Sequence, residues 1–281
     1  MKLIAIDLDG TLLNGDCEVS DKNIDAIHRA INKGIDIVIV TGRPFIAAKS
    51  LLNKVGLSLP IISLNGAVIY SNKEEVIEIT PMNLSISQQI LTIFQENKIY
   101  TEIYTNKGTY SINKKDVINN IMVRANSHIE KNVALQRANQ RIEVEKVKFI
   151  EDYNTLITLE DIYIYKIQGF SLKQKLLRRM CSQLNTEDII ITSSGNISIE
   201  INHVDAQKGI ALCMFARDKG IQMKDTMAIG DNLNDISMLN IVGQSVAMGN
   251  ADNEIKKVCH YTTKNNNEDG VAFAIEKVLS K

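Results

Sequence analysis

The stretch MKLIAIDLDGTLLNG, residues 1–15, begins as a short apolar run and turns at once to Asp7, Leu8, Asp9, Gly10 and Thr11. Successive apolar residues without alternation suit a strand buried on both faces, as in a parallel sheet. In open parallel sheets ligands bind beyond the carboxyl ends of the strands. Two carboxylates at the end of a buried strand therefore point to an α/β fold with a polar site there. The following segments keep that rhythm. Ser20 suits the N-cap of a helix carrying Ile24, Ile27 and Ile31 on one face and closed by Gly34. IDIVIV, Ile35 to Val40, is a second buried strand, and it ends in Thr41-Gly42-Arg43-Pro44. Pro44 starts a helix with Phe45, Ala48, Leu51, Leu52 and Val55. PIISLNGAVIY, residues 60–70, is a strand, an Asn65-Gly66 turn and a returning strand.

After about Thr80 the pattern changes. A helix over Ser85 to Asn97, strands in IYTEIY and DIYIYKIQGF, a helix over Leu172 to Leu184 and the hairpin-like IIITSSGNISIEI suggest an α+β unit with an antiparallel sheet. The first rhythm then resumes with helix AQKGIALCMFARDKG, strand TMAIG, a helix from about Asn234, strand SVAMG, a helix over Asn253 to Val258 and a last helix to Leu279. The expected architecture is an α/β, Rossmann-like parallel-sheet core from residues 1–81 and 204–281, with an inserted α+β domain at 82–203.

Composition narrows the class. Across 281 residues, 32 basic and 33 acidic side chains give a net charge of -1, and 44% of residues are hydrophobic. That balance offers no general attraction to nucleic acid or an anionic membrane. No apolar run reaches membrane-spanning length. Cys17, Cys181, Cys213 and Cys259 are far apart and read as reduced thiols, so the expected location is the cytoplasm. His28, His128, His203 and His260 show no metal-ligand spacing, and the Lys173, Lys175, Arg178 and Arg179 cluster reads as a solvated helix face. The oligomeric state is left open.

Three strands end in polar residues: Asp7, Asp9 and Thr11 after the first, Thr41 and Arg43 in VIVTGR, and Asp231, Asn234 and Asp235 in MAIGDNLND. If these strands are neighbours, several carboxylates converge. Two unit charges about 4 Å apart repel by roughly 4 kcal/mol at an effective dielectric near 20, so a cation or a shared proton has to balance them. An all-oxygen set favours a hard ion, Mg²⁺ before Ca²⁺. The metal would also let Asp7 approach an anionic phosphoryl group as nucleophile. Asp9, freed by the turn at Gly10, would serve as general acid and then base. Thr41 and Lys208 would hold the transferring phosphoryl oxygens.

These residues resemble the haloacid dehalogenase superfamily. DLDGT at Asp7 to Thr11, Thr41 in VTGRP, Lys208 in AQKGIAL and GDNLNDISML at Gly230 to Leu239 are similar to its four motifs in order. ISLNGAVIY, the long insertion and the tail from VAMGNADNE onward resemble its Cof-type phosphatases, type IIB, with an α/β cap. The resemblance implies Asp7 as nucleophile and metal ligand, Asp9 as acid/base and a ligand through its main-chain carbonyl, and Asp231 as the direct carboxylate ligand. It implies Asn234 and Asp235 in support of metal and phosphate, and phosphate contacts from backbone amides near Leu8, Gly10 and Gly42. It places Arg43, Asn65 and Gly66 toward the substrate. Where many relatives carry small residues before the motif-three Lys, this chain has HVDAQKG, with His203 and Asp205 at the expected hinge. The expected activity is Mg²⁺-dependent hydrolysis of a small phosphorylated metabolite, such as a sugar phosphate, nucleotide or phosphorylated cofactor, through an aspartyl-phosphate. The rivals are a phosphomutase or phosphotransferase with the same motifs, and a non-catalytic phosphometabolite-binding regulator. A dehalogenase leaves Asp9 and the motif-four carboxylates without a task, and an ion pump needs membrane spans.

Overall fold

The computed structural model describes residues 1–124, 131–184, 186–192 and 197–280. The chain divides into two compact units, Met1–Ile79 with Asp205–Lys281, and Thr80–Val204. His128 and residues 193–196 of the expected hairpin-like segment lie outside the described residues.

The first unit is built on an eight-stranded sheet. Strand Leu3–Asp7 is buried throughout and lies between Asp36–Val40 and Thr226–Gly230, parallel to both. Gln244–Ala247 and Tyr261–Thr262 extend the sheet in parallel on one side. On the other side Ile61–Ser63 is parallel, and Val68–Tyr70 and Val76–Ile79 return antiparallel. Leu3, Ile4, Ala5 and Ile6 have no solvent exposure. Burying one such large aliphatic side chain contributes about 1.5–3 kcal/mol, so this strand anchors the core. Ile6 pairs with both Ile39 and Ile229. That register brings Asp7, the last residue of its strand, and Thr41 and Asp231, which follow theirs, to the same end of the sheet.

Ser20 caps helix Asp21–Asn32 by accepting the Asn23 amide. The buried stripe of this helix is Asn23, Ala26, Ile27 and Ala30, while Ile31, expected inward, is 40% exposed. The reason is Asn23, whose Oδ1 accepts the Ala272 amide at 2.8 Å from the C-terminal helix Gly270–Leu279. A polar residue thus sets the packed face, and the stripe at i, i+3, i+4 and i+7 misses Ile31.

The second unit carries a six-stranded sheet in the order Ile189–Thr192, Ser198–His203, Ile164–Phe170, Tyr100–Thr105, Gly108–Ser111, Lys148–Phe149. Its pairs are antiparallel except the last, which is parallel. One face is apolar: Ile103, Ile167, Ile199 and Ile201 pack with Phe94 of helix Leu84–Glu96 and Leu177 and Met180 of helix Gln174–Gln183. The alternate residues form a polar face. Tyr104 donates to Glu102 at 2.7 Å, Gln168 Nε2 to Glu200 at 3.0 Å, and Lys166 to Glu200 at 3.3 Å. Helices Lys114–Arg124 and Lys131–Val144, not foreseen from the sequence, lack a strong apolar period. The second contributes a polar anchor, Arg141, which grips Glu102 through two bonds of 2.8 and 2.6 Å.

Burial by itself pushes Glu102 up, but Arg141 and the hydrogen bonds from Arg141, Tyr100 and Tyr104 outweigh it and bring the carboxyl down to about 2. A lowered carboxyl contributes stability above its ordinary range, and this contribution is lost as pH falls toward 2. Arg141→Met leaves Glu102 a buried charge without its cation. We expect the second unit to lose about 3 kcal/mol, measured by amide exchange of its strands. Glu102→Gln combined with Arg141→Met should recover most of that loss.

Candidate active site

Asp7 ends the central strand and is 4% exposed. The chain then turns back on itself: the Leu12 amide bonds to the Asp7 carbonyl and the Leu13 amide to the Leu8 carbonyl. The Leu8 side chain is buried in the core, so its backbone is what it can offer a ligand. Gly10 sits at φ 77°, and a Cβ there would fall 2.9 Å from Asp231 Cγ. Gly10→Ala is expected to cost about 1–3 kcal/mol and displace the Asp231 carboxylate, read as a lower unfolding temperature together with weaker metal binding.

Asp231 follows strand Thr226–Gly230, and its Oδ1 accepts the Thr11 hydroxyl at 2.9 Å. Asp235 is wholly buried in the short helical turn Leu233–Asp235. Its Oδ2 accepts the amides of Asp231 and Asn232, each at 3.0 Å, and Asn232 completes a capping box with it. Lys208, the first residue of helix Lys208–Asp218 and 1% exposed, reaches Asp7 Oδ1 and Asp235 Oδ1, both at 2.6 Å. Carboxylate oxygens of Asp7, Asp231 and Asp235 lie within 4.8 Å of one another.

Three carboxylates against one ammonium leave an excess of negative charge. Burial and the Asp235 charge, only partly offset by Lys208, push Asp7 well above the ordinary carboxylate range. The same two causes bring Asp231 up to about 6, against the Thr11 hydrogen bond. Burial would lower Lys208, but Asp235 and Asp7 together raise it above its ordinary value. One lysine cannot neutralise three acids. A divalent cation among all-oxygen donors fits both the charge and the chemistry of this set.

Thr41 is fully buried, and its hydroxyl accepts the Arg43 amide at 3.1 Å. Arg43 holds Asp9 by two bonds, Nε to Oδ2 at 2.7 Å and Nη2 to Oδ1 at 2.5 Å. The Asp9 carboxylate is about half exposed and stands apart from the three-acid cluster. Leu64–Gly66 forms the tight turn between two antiparallel strands, and its amides bond to the Arg43 and Thr41 carbonyls, each at 3.0 Å. Asn65, left-handed at φ 62°, accepts the Asn234 side-chain amide at 3.2 Å, joining the Leu64–Gly66 turn to the Leu233–Asp235 turn. Gly66, at φ 107°, lies so close to the Gln207 carbonyl that a Cβ would sit 2.5 Å from it. This gives Gly66 a packing role beside the start of the Lys208 helix.

Two residues outside the expected set support the loop. Asn250 donates to the Gly10 carbonyl at 2.8 Å, and Asn266 to the Leu13 carbonyl at 2.8 Å. Asn250 follows strand Gln244–Ala247, so the same strand-end rule that finds Asp231 points to it.

A mainly parallel sheet whose central strand ends in Asp7, beside a buried lysine and a converging acid cluster, is an arrangement suited to binding an anionic group with a cation. The chain belongs to the haloacid dehalogenase-like hydrolase family, matching its profile over residues 4–275. It is 34% identical to Phosphatase YwpJ of Bacillus subtilis (strain 168), covering 99% of this chain and 100% of that protein. It is 35% identical to the 5-amino-6-(5-phospho-D-ribitylamino)uracil phosphatase YwtE of the same organism, covering 100% and 99%. A solved haloacid dehalogenase-like hydrolase from B. subtilis superposes with a TM-score of 0.89 at 34% identity, covering 98% and 99%. The chain is thus a phosphomonoester hydrolase acting on small phosphorylated compounds. No helix among the described residues is long and apolar enough to cross a membrane.

Proposed function

We propose that the chain is a Mg²⁺-dependent phosphatase of small phosphorylated metabolites that works through an aspartyl-phosphate on Asp7. The observation that carries this reading is the convergence of Asp7, Asp231 and Asp235 around the buried Lys208 ammonium. Asp7, Asp231 and the Asp9 main-chain carbonyl would hold the metal, with Asp235 anchoring the turn behind them. When bound, Mg²⁺ supplies charge neutralisation between the nucleophile and the phosphoryl oxygens.

An Asp7 carboxylate oxygen attacks phosphorus, and the bond from phosphorus to the leaving oxygen breaks. Asp9 gives that oxygen a proton. Asp9 then takes a proton from water as the water attacks phosphorus, which frees inorganic phosphate and restores Asp7. Thr41, Lys208, Asn234 and the amides of Leu8, Gly10 and Gly42 bind the equatorial oxygens, where charge spreads in the transition state. Because Arg43 holds both Asp9 oxygens, Asp9 must exchange one of these contacts to reach a leaving oxygen. Arg43, Asn65 and Gly66 flank the substrate, and the second unit acts as a cap that selects it. The 34–35% relatives, one named for a ribitylaminouracil phosphate, support a small phosphorylated metabolite as the substrate class. The four free thiols agree with a cytoplasmic setting.

The reading is tested with p-nitrophenyl phosphate: hydrolysis should require Mg²⁺, stop with EDTA and return on adding metal. Metal-independent turnover would overturn it. The acids add a pH dependence. Asp231, raised to about 6, has to lose its proton before it can bind a cation. Below that pH the half-saturating Mg²⁺ concentration should therefore rise at least about tenfold per unit, measured by calorimetric metal titration.

A further inference from the structure

Lys208 opens its helix, so the place of its ammonium depends on how the first turn of helix Lys208–Asp218 is seated. The first amides of a helix have no acceptor within it. Gln207, the N-cap residue, makes no side-chain cap bond here. The Gly209 amide is met from another segment instead: Ser237 Oγ accepts it at 3.0 Å. Gly209 is buried, so its amide depends on that acceptor. Ser237 belongs to helix Ile236–Leu239, directly after Asp235 and its turn. It therefore ties the helix carrying Lys208 to the acid that takes one of the two 2.6 Å bonds of the ammonium.

Gly209 packs against the same short helix. A Cβ there would collide with the Ser237 carbonyl oxygen and lie 3.0 Å from the Met238 nitrogen, backbone atoms that cannot swing aside. A residue without a Cβ lets the two backbones come this close. A second close approach confines the same turn: a Cβ on Gly66 would meet the Gln207 carbonyl oxygen at 2.5 Å and Ala211 Cβ at 3.1 Å. Lys208 itself is 1% exposed and bonds to Asp7 and Asp235 at 2.6 Å each, so any shift of this turn reaches both acids.

Resting on the reading that Lys208 faces the phosphoryl oxygens, we propose that Gly209 and Ser237 are positioning residues that set where its ammonium stands, and thereby the affinity of the site for phosphate. Both act through Lys208 and not on the substrate. When Lys208 draws back, two properties of the site move apart. The phosphoryl oxygens lose a cation. The acids lose the same cation, and so hold Mg²⁺ at least as firmly as before. A general loosening of the site would weaken both ligands together.

The test is calorimetric titration of the full-length protein, first with Mg²⁺ and then, in saturating Mg²⁺, with inorganic phosphate. Ser237→Ala is expected to bind phosphate about tenfold more weakly than the native chain, with Mg²⁺ bound no more weakly and far-UV circular dichroism unchanged. Ser237→Thr, which keeps the hydroxyl, should return phosphate binding to within about twofold of native. Gly209→Ala, the harsher change, should weaken phosphate by about 10²-fold, the scale of a 1 Å misplacement; the Ser237 pair decides the matter should that chain fail to fold. Equal phosphate binding by the native chain and Ser237→Ala overturns the proposal, as does a parallel loss of Mg²⁺ and phosphate, or a Ser237→Thr chain as weak as Ser237→Ala. A native chain that binds no phosphate overturns the reading of Lys208 along with it. Binding is read without turnover, so the outcome is independent of whether Asp7 forms a phospho-intermediate.

Discussion

Asp7→Asn is expected to lower phosphate release by at least about 10⁴-fold, the scale on which loss of a covalent nucleophile acts. It should do so without harming the fold. Asp7 is buried, faces Asp235 and shares Lys208 with it, and its carboxyl is raised well above the ordinary range. A raised carboxyl is neutral in both folded and unfolded states at low pH, and stability falls as pH climbs from the ordinary carboxylate value toward the raised one. Above that window the native protein carries the full cost of an ionised Asp7, and Asn carries none. In metal-free buffer near neutral pH the variant should unfold at the same temperature as the native chain or higher. Added Mg²⁺ should raise the native midpoint more than that of the variant. A variant that is both inactive and markedly less stable would instead mark Asp7 as a structural residue.

Lys208→Met acts in the opposite sense on stability. Lys208 is 1% exposed and bonds to Asp7 and Asp235 at 2.6 Å each. Its removal leaves two buried carboxylates facing each other without the cation between them. Losing one partner of a buried ionic group costs about 3–5 kcal/mol, so the first unit should unfold at a much lower urea concentration. The loss should shrink at low pH, where the acids protonate, and in excess Mg²⁺. Phosphate release should fall as well, because the ammonium that would face the phosphoryl oxygens is gone. A native-like urea midpoint in metal-free buffer would contradict the proposed charge balance.

The core was legible because its elements follow local rules that burial reinforces. Leu3–Asp7 reads as a buried strand because both of its faces are covered, and its neighbours in the sheet end in the polar residues that the strand-end rule singles out. Asp7, Asp231 and Asp235 stood out by residue type, and the structure brings their carboxylates together. The fixing of Asp9 by Arg43 was not legible, since the pair spans 34 residues and depends on how two loops meet. Asn266 was not legible for the same reason, since it bonds to a carbonyl at the other end of the chain, whereas Asn250 stands at a strand end where the rule points. In the second unit, Lys114–Arg124 and Lys131–Val144 were missed because no strong apolar stripe marks them. Arg141 docks on Glu102, so periodicity of apolar residues carries little signal there.

The most direct measurement is chemical trapping of the intermediate during turnover. The protein is mixed with Mg²⁺ and p-nitrophenyl phosphate, quenched with borohydride, which reduces an acyl phosphate to the alcohol, and its peptides are weighed by mass spectrometry. The account predicts homoserine at position 7, dependent on both Mg²⁺ and substrate and absent from Asp7→Asn. Steady turnover with position 7 unmodified, or reduction at a different carboxylate, would contradict it.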